Sequence, residues 1–509
     1  MAWGQGFSVQ GNKLTVETQR HWEAWDFPAG TVEISAGGVR PNFVRKNTDA
    51  TQDILTHLLR KDDKARIGDA FEAGANRRDV AHLLDRGPGS EATYWEPRAG
   101  DSMRDWWFQL DLGRLVAADR IVLEFPEEEI GDPFLQFAVL TSDGEESIKG
   151  VLGFKQVFHT QKDNKTQRVF DIELDPTRVD REKDFSGDMI RYIQVIITES
   201  DTSRAERVDE TLYDSLMAVG NHGAVDYYKK VANGEMRVSK GTWDAIDPSL
   251  RGLPRHYRRE RPRLAALEVW SRGENIALGL KERKGIALDY AGKSVFGLLD
   301  GDFNTLQNVS SAVLPRTIYL DMKSTFWIDT FITFYKESHQ VFANFEIQTS
   351  DGALAPDGSL AWTTRASKLR GGSPWGGDAY DVNDFGEPVR ARYLQIVYWD
   401  NRGREYSIPR ELQFYGEGFQ PEVELISPGT ISLGGSPRNL VSIEWEADTP
   451  PATFVEIQTR TGNQLSEEYH YFNKGGVEVA DEAAYNKLGF FNKGRIDTLL
   501  VAGSDWSGW

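Results

Sequence analysis

Trp106-Trp-Phe-Gln-Leu-Asp-Leu-Gly113 is followed by Arg120-Ile-Val-Leu-Glu-Phe125, and the chain says nearly the same thing again further on. There Arg316-Thr-Ile-Tyr-Leu-Asp-Met322 leads to Asp329-Thr-Phe-Ile-Thr-Phe-Tyr335. In both places apolar and polar residues alternate, break at a turn and alternate again. That is the period of strands with one buried face, and the spacing predicts a hairpin-like pair of strands each time.

Working outward, the correspondence continues in order. Phe137-Ala-Val-Leu-Thr-Ser-Asp-Gly144 matches Phe345-Glu-Ile-Gln-Thr-Ser-Asp-Gly352, a strand ending in a Ser-Asp-Gly turn. Arg191-Tyr-Ile-Gln-Val195 matches Arg392-Tyr-Leu-Gln-Ile396, and Leu267-Glu-Val-Trp270 matches Leu412-Gln-Phe-Tyr415. Five strand-like blocks in one order mark an internal duplication. The first copy carries an insertion of about 56 residues, near 201–260, between its last two blocks. Part of it is predicted helical, from Val208, Leu212, Leu216 and Val219 and from Val225, Tyr228 and Val231. Residues 49–60, with Ile54, Leu55, Leu58 and Leu59, are predicted helical too. The insertion ends in a basic run, Arg251-Gly-Leu-Pro-Arg-His-Tyr-Arg-Arg-Glu-Arg-Pro-Arg263.

Composition agrees with a β-rich chain of about three domains. In 509 residues there are 15 Trp and 48 Gly, the mixture of aromatic strands and glycine turns found in sandwiches and barrels. A net charge of −19 argues against a nucleic-acid partner, which needs a basic field. Absence of cysteine removes disulfides, thiolate metal sites and cysteine nucleophiles. No apolar run approaches the roughly 20 residues of a membrane span. No signal peptide is visible at the start of the sequence.

The ordered blocks resemble the discoidin family, also called coagulation-factor C-type domains, which includes many bacterial carbohydrate-binding modules. The residues that carry the resemblance are Leu299-Asp-Gly-Asp-Phe-Asn-Thr305 ahead of the Ile-Tyr-Leu-Asp strand, the Arg-Tyr-Leu-Gln strand, and the closing Arg410-Glu-Leu-Gln-Phe-Tyr-Gly416. In the first copy they are Leu84-Asp85 through Thr93-Tyr-Trp95, Phe108 to Gly113, and Ala266 to Trp270. The resemblance implies an all-β architecture of two tandem jelly-roll β-sandwiches, at about 30–280 and 281–418, behind an N-terminal extension 1–29. Residues 419–509 resemble a fibronectin type III or immunoglobulin-like sandwich, with strands expected at 421–428, Val441–Trp445 and Thr453–Thr459. This last domain is expected to be completed by further residues or by a partner, because the sequence stops at Ser504-Asp-Trp-Ser-Gly-Trp509 directly after an apparent strand.

Many bacterial members hold a structural calcium. Carried onto the second copy, its ligands would be Asp300, Asp302, Thr305 and Glu411, oxygen donors of the kind a hard cation takes. The same Asp-Gly-Asp also reads as a plain tight turn. In the first copy Arg86-Gly-Pro88 and Ala266 replace those acids. Glycan binding calls for exposed aromatic faces beside polar groups. Candidates are Trp362, Arg365, Trp375 and Tyr380 in the second copy and Trp95 and Arg98 in the first. Tryptophan in a sandwich also reads as core or inter-domain packing.

Catalytic motifs are missing. There is no Gly-x-Ser-x-Gly elbow, His-Glu-x-x-His helix or phosphate-binding glycine loop, and the eight His show no ligand spacing. The expectation is therefore a non-catalytic, extracellular or surface protein that binds glycan or a cell-surface polymer. The alternative is a structural subunit of a surface layer, filament or virion-like assembly. In that case residues 201–263 would meet neighbouring subunits, the basic run facing an acidic surface.

Overall fold

The computed structural model describes residues 6–84, 93–98, 100–148, 150–174, 188–305, 309, 315–335, 341–342, 344–369, 380–400, 408–427, 431, 439–474, 478–479 and 481–507. The chain forms two compact units, residues 41–422 and residues 1–40 together with 423–509. It is mostly β, in several sandwich-like sheets.

Within 41–422, two antiparallel sheets share one strand order. The first has β1 (Trp107–Glu124), β2 (Gln136–Ser142), β3 (Lys155–His159), β4 (Asp188–Glu199) and β5 (Ala266–Gly273), arranged β3-β2-β4-β1-β5. The second has β6 (Arg316–Tyr335), β7 (Asn344–Ser350), β8 (Thr363–Leu369), β9 (Tyr380–Asp400) and β10 (Pro409–Tyr415), arranged β8-β7-β9-β6-β10. Register repeats as well as order. Tyr192 lies opposite Asp111 and Ser142, and Tyr393 lies opposite Asp321 and Ser350. Val269 faces Ile121 as Phe414 faces Phe331. A slip of one residue would turn each apolar set outward, so burial fixes this register twice.

The hairpin read from the sequence is a single bent strand in each sheet. At the bend Gly113 has φ 73° and Lys323 has φ 64°. The preceding acid holds the turn: Asp111 accepts from the Gly113 N–H and Asp321 from the Lys323 N–H, both at 2.8 Å. A single left-handed residue redirects a strand without reversing it.

Each sheet covers its own core. In the first, Trp95, Phe108, Phe134 and Phe137 are fully buried, Trp95 edge-on to Phe108 at 4.9 Å. The second gathers Phe331, Phe342, Phe345, Tyr398 and Phe414. Each such side chain contributes roughly 1.5–3 kcal/mol on burial. A third cluster joins the two sheets: Leu115, Ala117 and Met189 pack against Phe303, Ile332, Phe334 and Tyr415.

The insertion is a small layer of its own, a four-stranded sheet ordered Glu206–Val208, Arg255–Arg258, His222–Val231, Gly234–Val238. Helix Glu210–Ala218 holds the predicted Leu212 and Leu216, but Val208 is in a strand. Val225, Tyr228 and Val231 are not helical; they lie in strand His222–Val231, which turns through Gly234 into its neighbour. Their β-branched and aromatic character and the Asn-Gly turn outweigh a chance helical spacing. The upstream helix forms at Ile54–Lys61. The basic run pairs internally: Arg255 with Glu235 at 2.9 Å, Arg258 with Asp132 at 2.5 Å, and Arg263 with Glu96 at 2.7 Å.

In the other unit, Leu465–Asn473 pairs with Glu478–Val479 and Lys493–Ala502 in a three-stranded sheet. The strands expected at 421–428, 441–445 and 453–459 do not form among the described residues, apart from two isolated bridges, Thr325 with Glu422 and Asp26 with Ile426. Val441 is 92% and Phe454 82% exposed. Alternation alone makes no strand where no neighbour accepts its hydrogen bonds. No helix of the described residues is long and apolar enough to cross a membrane.

Candidate functional site

Both sheets build the same clamp beside the Ser-Asp-Gly turn. In the first, Arg191 donates Nε and Nη2 to Asp111, each at 3.0 Å, and its guanidinium lies 4.9 Å over Tyr192. In the second, Arg392 grips Asp321 at 3.1 and 3.4 Å and lies 4.9 Å over Tyr393. The planar fork suits a carboxylate bidentately. Side-chain exposure separates the two: Arg191 is 12% exposed and Arg392 34%.

The difference arises because residues 301–304, ahead of the second sheet, cover the first clamp. Gly301 O accepts from the Leu115 N–H at 2.9 Å, and Asn304 Nδ2 donates to Gly144 O at 2.7 Å. Asp302 reaches Arg191 at 3.2 Å and Lys61 at 3.3 Å. Gly301 has φ 68°, and a Cβ there would come within 3.1 Å of the Arg114 side chain. Only glycine allows this approach.

A cleft opens at one position in both sheets, between the end of β2 or β7, the start of β3 or β8, and the start of β4 or the middle of β9. The first, about 370 Å³, is lined by Ser142, Asp143, Glu145, Lys155, Asp188 and Met189 among others. Lys155 and Asp188 pair at 2.9 Å, and burial followed by the charges of Glu145 and Asp188 pushes the Asp143 carboxyl up. The second cleft, about 290 Å³, is lined by Thr349, Ser350, Asp351, Thr363, Arg365 and Arg390 together with Ala353, Ala361 and Val389. Arg365 Nε donates to Thr349 Oγ1 at 2.9 Å. Trp362, between two lining residues, stands edge-on to Tyr319 at 6.2 Å, and Tyr319 stacks on Tyr393 at 6.3 Å. Hydroxyl and guanidinium donors thus converge in the cleft, and the chain segment that supplies Ala361 and Thr363 to its wall also carries Trp362.

Of the ligand candidates from sequence, Arg365 lines this cleft, whereas Trp362 sits in the chain between its lining residues Ala361 and Thr363 and turns its ring to Tyr319. Tyr380 lies elsewhere: it packs on Phe334 at 5.7 Å, in the junction cluster. Trp375 lies outside the described residues. Trp95 is fully buried with Nε1 donating to Ala75 O at 3.2 Å, so its faces belong to the core. Arg98 is exposed and donates to Asn76. Arg390, Asp351, Tyr319 and Tyr393 were not picked out from sequence, although the Ser-Asp-Gly and Arg-Tyr-Leu-Gln blocks that place them were.

Around the Asp-Gly-Asp turn, Glu411 is fully buried and accepts from the Gly301 N–H at 3.1 Å. Burial, then the charge of Asp300, raises its carboxyl well above the ordinary range. Desolvation raises Asp300 also. The buried Glu411 and the solvent-facing Asp300, with the Thr305 hydroxyl, are oxygen donors of the kind a hard cation takes. Asp302 points the other way, to Lys61 and Arg191. No group of three or more His, Cys, Asp or Glu able to hold a metal occurs among the described residues.

No protein-family model matches the chain, and no curated protein matches it. Among solved structures, chitosan-binding module 1 of a chitosanase/glucanase from Paenibacillus sp. IK-5 is 21% identical, with TM-score 0.22, covering 28% of this chain and 99% of that one. The family 32 carbohydrate-binding module of NanJ from C. perfringens, in complex with galactose, is 14% identical with TM-score 0.22, covering 26% and 94%. That of EndoD from Streptococcus pneumoniae is 14% identical with TM-score 0.22, covering 28% and 99%.

Proposed function

We propose that the chain is a non-catalytic binding protein of the cell surface or exterior, with two tandem discoidin-like sandwiches, the second of which binds a glycan or surface polymer. The observation that carries this is the cleft whose polar walls are Arg365, Thr349, Ser350 and Asp351, lined also by Ala361 and Thr363 on either side of Trp362 in the chain, whose ring packs with Tyr319. The aromatic faces would stack on sugar C–H groups while the walls hydrogen-bond hydroxyls. Calcium belongs to this proposal as a structural ion held by Asp300, Thr305 and Glu411, where it would offset the desolvation of the buried Glu411. Binding on a glycan array that is lost in Trp362→Ala, with the thermal midpoint retained, supports the reading; no hit on any glycan rejects it.

Exposed Val441 and Phe454, together with Phe490 and Phe491 at 86% and 80%, favour a second reading, a subunit of an ordered assembly. Electron microscopy of concentrated protein tests it, and monodisperse particles reject it.

A further inference from the structure

We propose that the cleft of the second sandwich selects anionic glycans, those whose sugars carry carboxylates; this rests on the reading that the cleft binds glycan. The two clefts serve as controls for each other because their register is the same. Asp188 and Met189 stand before Tyr192 where Val389 and Arg390 stand before Tyr393. Gly153 and Lys155 follow the first Ser-Asp-Gly turn where Ala361 and Thr363 follow the second.

On that common frame the charges are opposite. The first cleft sets Asp143, Glu145 and Asp188 against Lys155. Its only cation is already neutralised, 2.9 Å from Asp188. The second cleft sets Arg365 and Arg390 against Asp351. The position of the neutralising Asp188 is taken by Val389.

The two arginines are also placed to receive an anion. Arg365 is held by its Nε on the buried Thr349, which fixes the guanidinium and leaves both Nη groups without a hydrogen bond among the described residues. Asp351 is engaged by the Ala353 N–H within its own turn. Arg390 has one carboxylate near it, Glu422 at 3.9 Å, whose side chain is 74% exposed. A contact so loose and solvated is displaced by a ligand carboxylate at little cost. Charge-assisted hydrogen bonds from the held Arg365 and the readily released Arg390 discriminate an acid from its neutral ester. The chain as a whole is strongly acidic, so attraction is confined to the cleft and falls with salt.

The test is binding of the full chain to polygalacturonate and to its fully methyl-esterified form, with neutral galactan, cellulose and chitin alongside. The acid form is expected to bind, more weakly at high salt, and the ester to bind at least tenfold less, about one charge-assisted hydrogen bond's worth. Arg365→Gln and Arg390→Gln are each expected to weaken the acid by roughly tenfold. Val389→Asp, which supplies the counter-ion of the first cleft, should weaken it without removing a contact, while Glu422→Gln should strengthen it. Equal binding of acid and ester overturns the selectivity and leaves the glycan reading standing. Binding to none of the polymers overturns both. Acid binding that survives the double Arg365→Gln, Arg390→Gln variant, or that Val389→Asp leaves unchanged, overturns the assignment to this cleft.

Discussion

The carboxylate of Asp302, in the second sandwich, lies 3.2 Å from the guanidinium of Arg191, in the first. Arg191 already holds Asp111 within its own sheet, so one side chain ties an internal clamp to the junction. Asp302→Asn is expected to lower stability by about 1–2 kcal/mol, the scale of a partly buried charge-assisted contact. Burial pushes the Asp302 carboxyl up, but Lys61, the Asn304 N–H and Arg191 outweigh it and hold the group below its ordinary 3.8. A depressed acid stabilises above its ordinary range and loses that contribution as pH falls through the lower folded value. The gap in thermal midpoint between wild type and Asp302→Asn should therefore close on acidification; a constant gap would contradict the ion pair.

Two tryptophans expected together from the sequence should part company on mutation. Trp95→Ala removes a fully buried ring and is expected to cost about 3–5 kcal/mol. Trp362→Ala removes a half-buried ring edge-on to Tyr319 and should cost less, about 1 kcal/mol, while abolishing glycan binding. Chemical denaturation and glycan binding on both variants check the contrast.

His57 gives the junction side of the first sandwich an acid limit. Burial first, then the charges of Arg114, Arg60 and Lys61, depress its pKa from 6.5 to about 2. The neutral ring receives Arg60 Nη1 at 3.2 Å. The stabilisation is whole above 6.5 and is lost as pH falls below it, because the unfolded chain takes a proton that the folded ring refuses. The slope is at most about 1.4 kcal/mol per pH unit, less where solvent screens the half-buried ring. His57→Gln should flatten this limb in denaturation curves between about pH 6 and 4.

Chelation separates the two halves of the Asp-Gly-Asp turn. If Asp300, Thr305 and Glu411 hold calcium, EDTA lowers the thermal midpoint of wild type and of Asp302→Asn equally, since Asp302 is engaged by Lys61 and Arg191. An unchanged wild-type midpoint removes calcium from the proposal.

The repeated sheets were legible because strand alternation and Ser-Asp-Gly turns are local signals, and the five matching blocks fall in matching registers. The bend at Gly113 and Lys323 was not, since a lysine in the left-handed region leaves no mark in the sequence and the break reads as a hairpin turn. Val225, Tyr228 and Val231 satisfied a helical spacing by accident, and Val441–Trp445 satisfied a strand's without a partner. At the candidate cleft, Arg365 could be singled out in the sequence because a guanidinium near turn and strand aromatics has few uses, and the structure places it in the lining. Asp302 was not, because its partners Lys61 and Arg191 are distant in sequence and only folding brings them together. Tyr380 and Trp95 were misplaced for the same reason: composition cannot say which face of a strand a ring takes.

The contact from Asn304 to Gly144, with Arg410 reaching Glu145 at 3.6 Å, has a consequence for valency. Tandem modules ordinarily raise avidity by offering their sites in parallel, with the linker setting the effective concentration. In this chain the second module leans on the rim of the first one's cleft, and the two clefts differ in sign. On the proposal that the second cleft takes an acidic glycan, each polypeptide would be monovalent toward such a polymer, and tight attachment would require an array of chains on one surface.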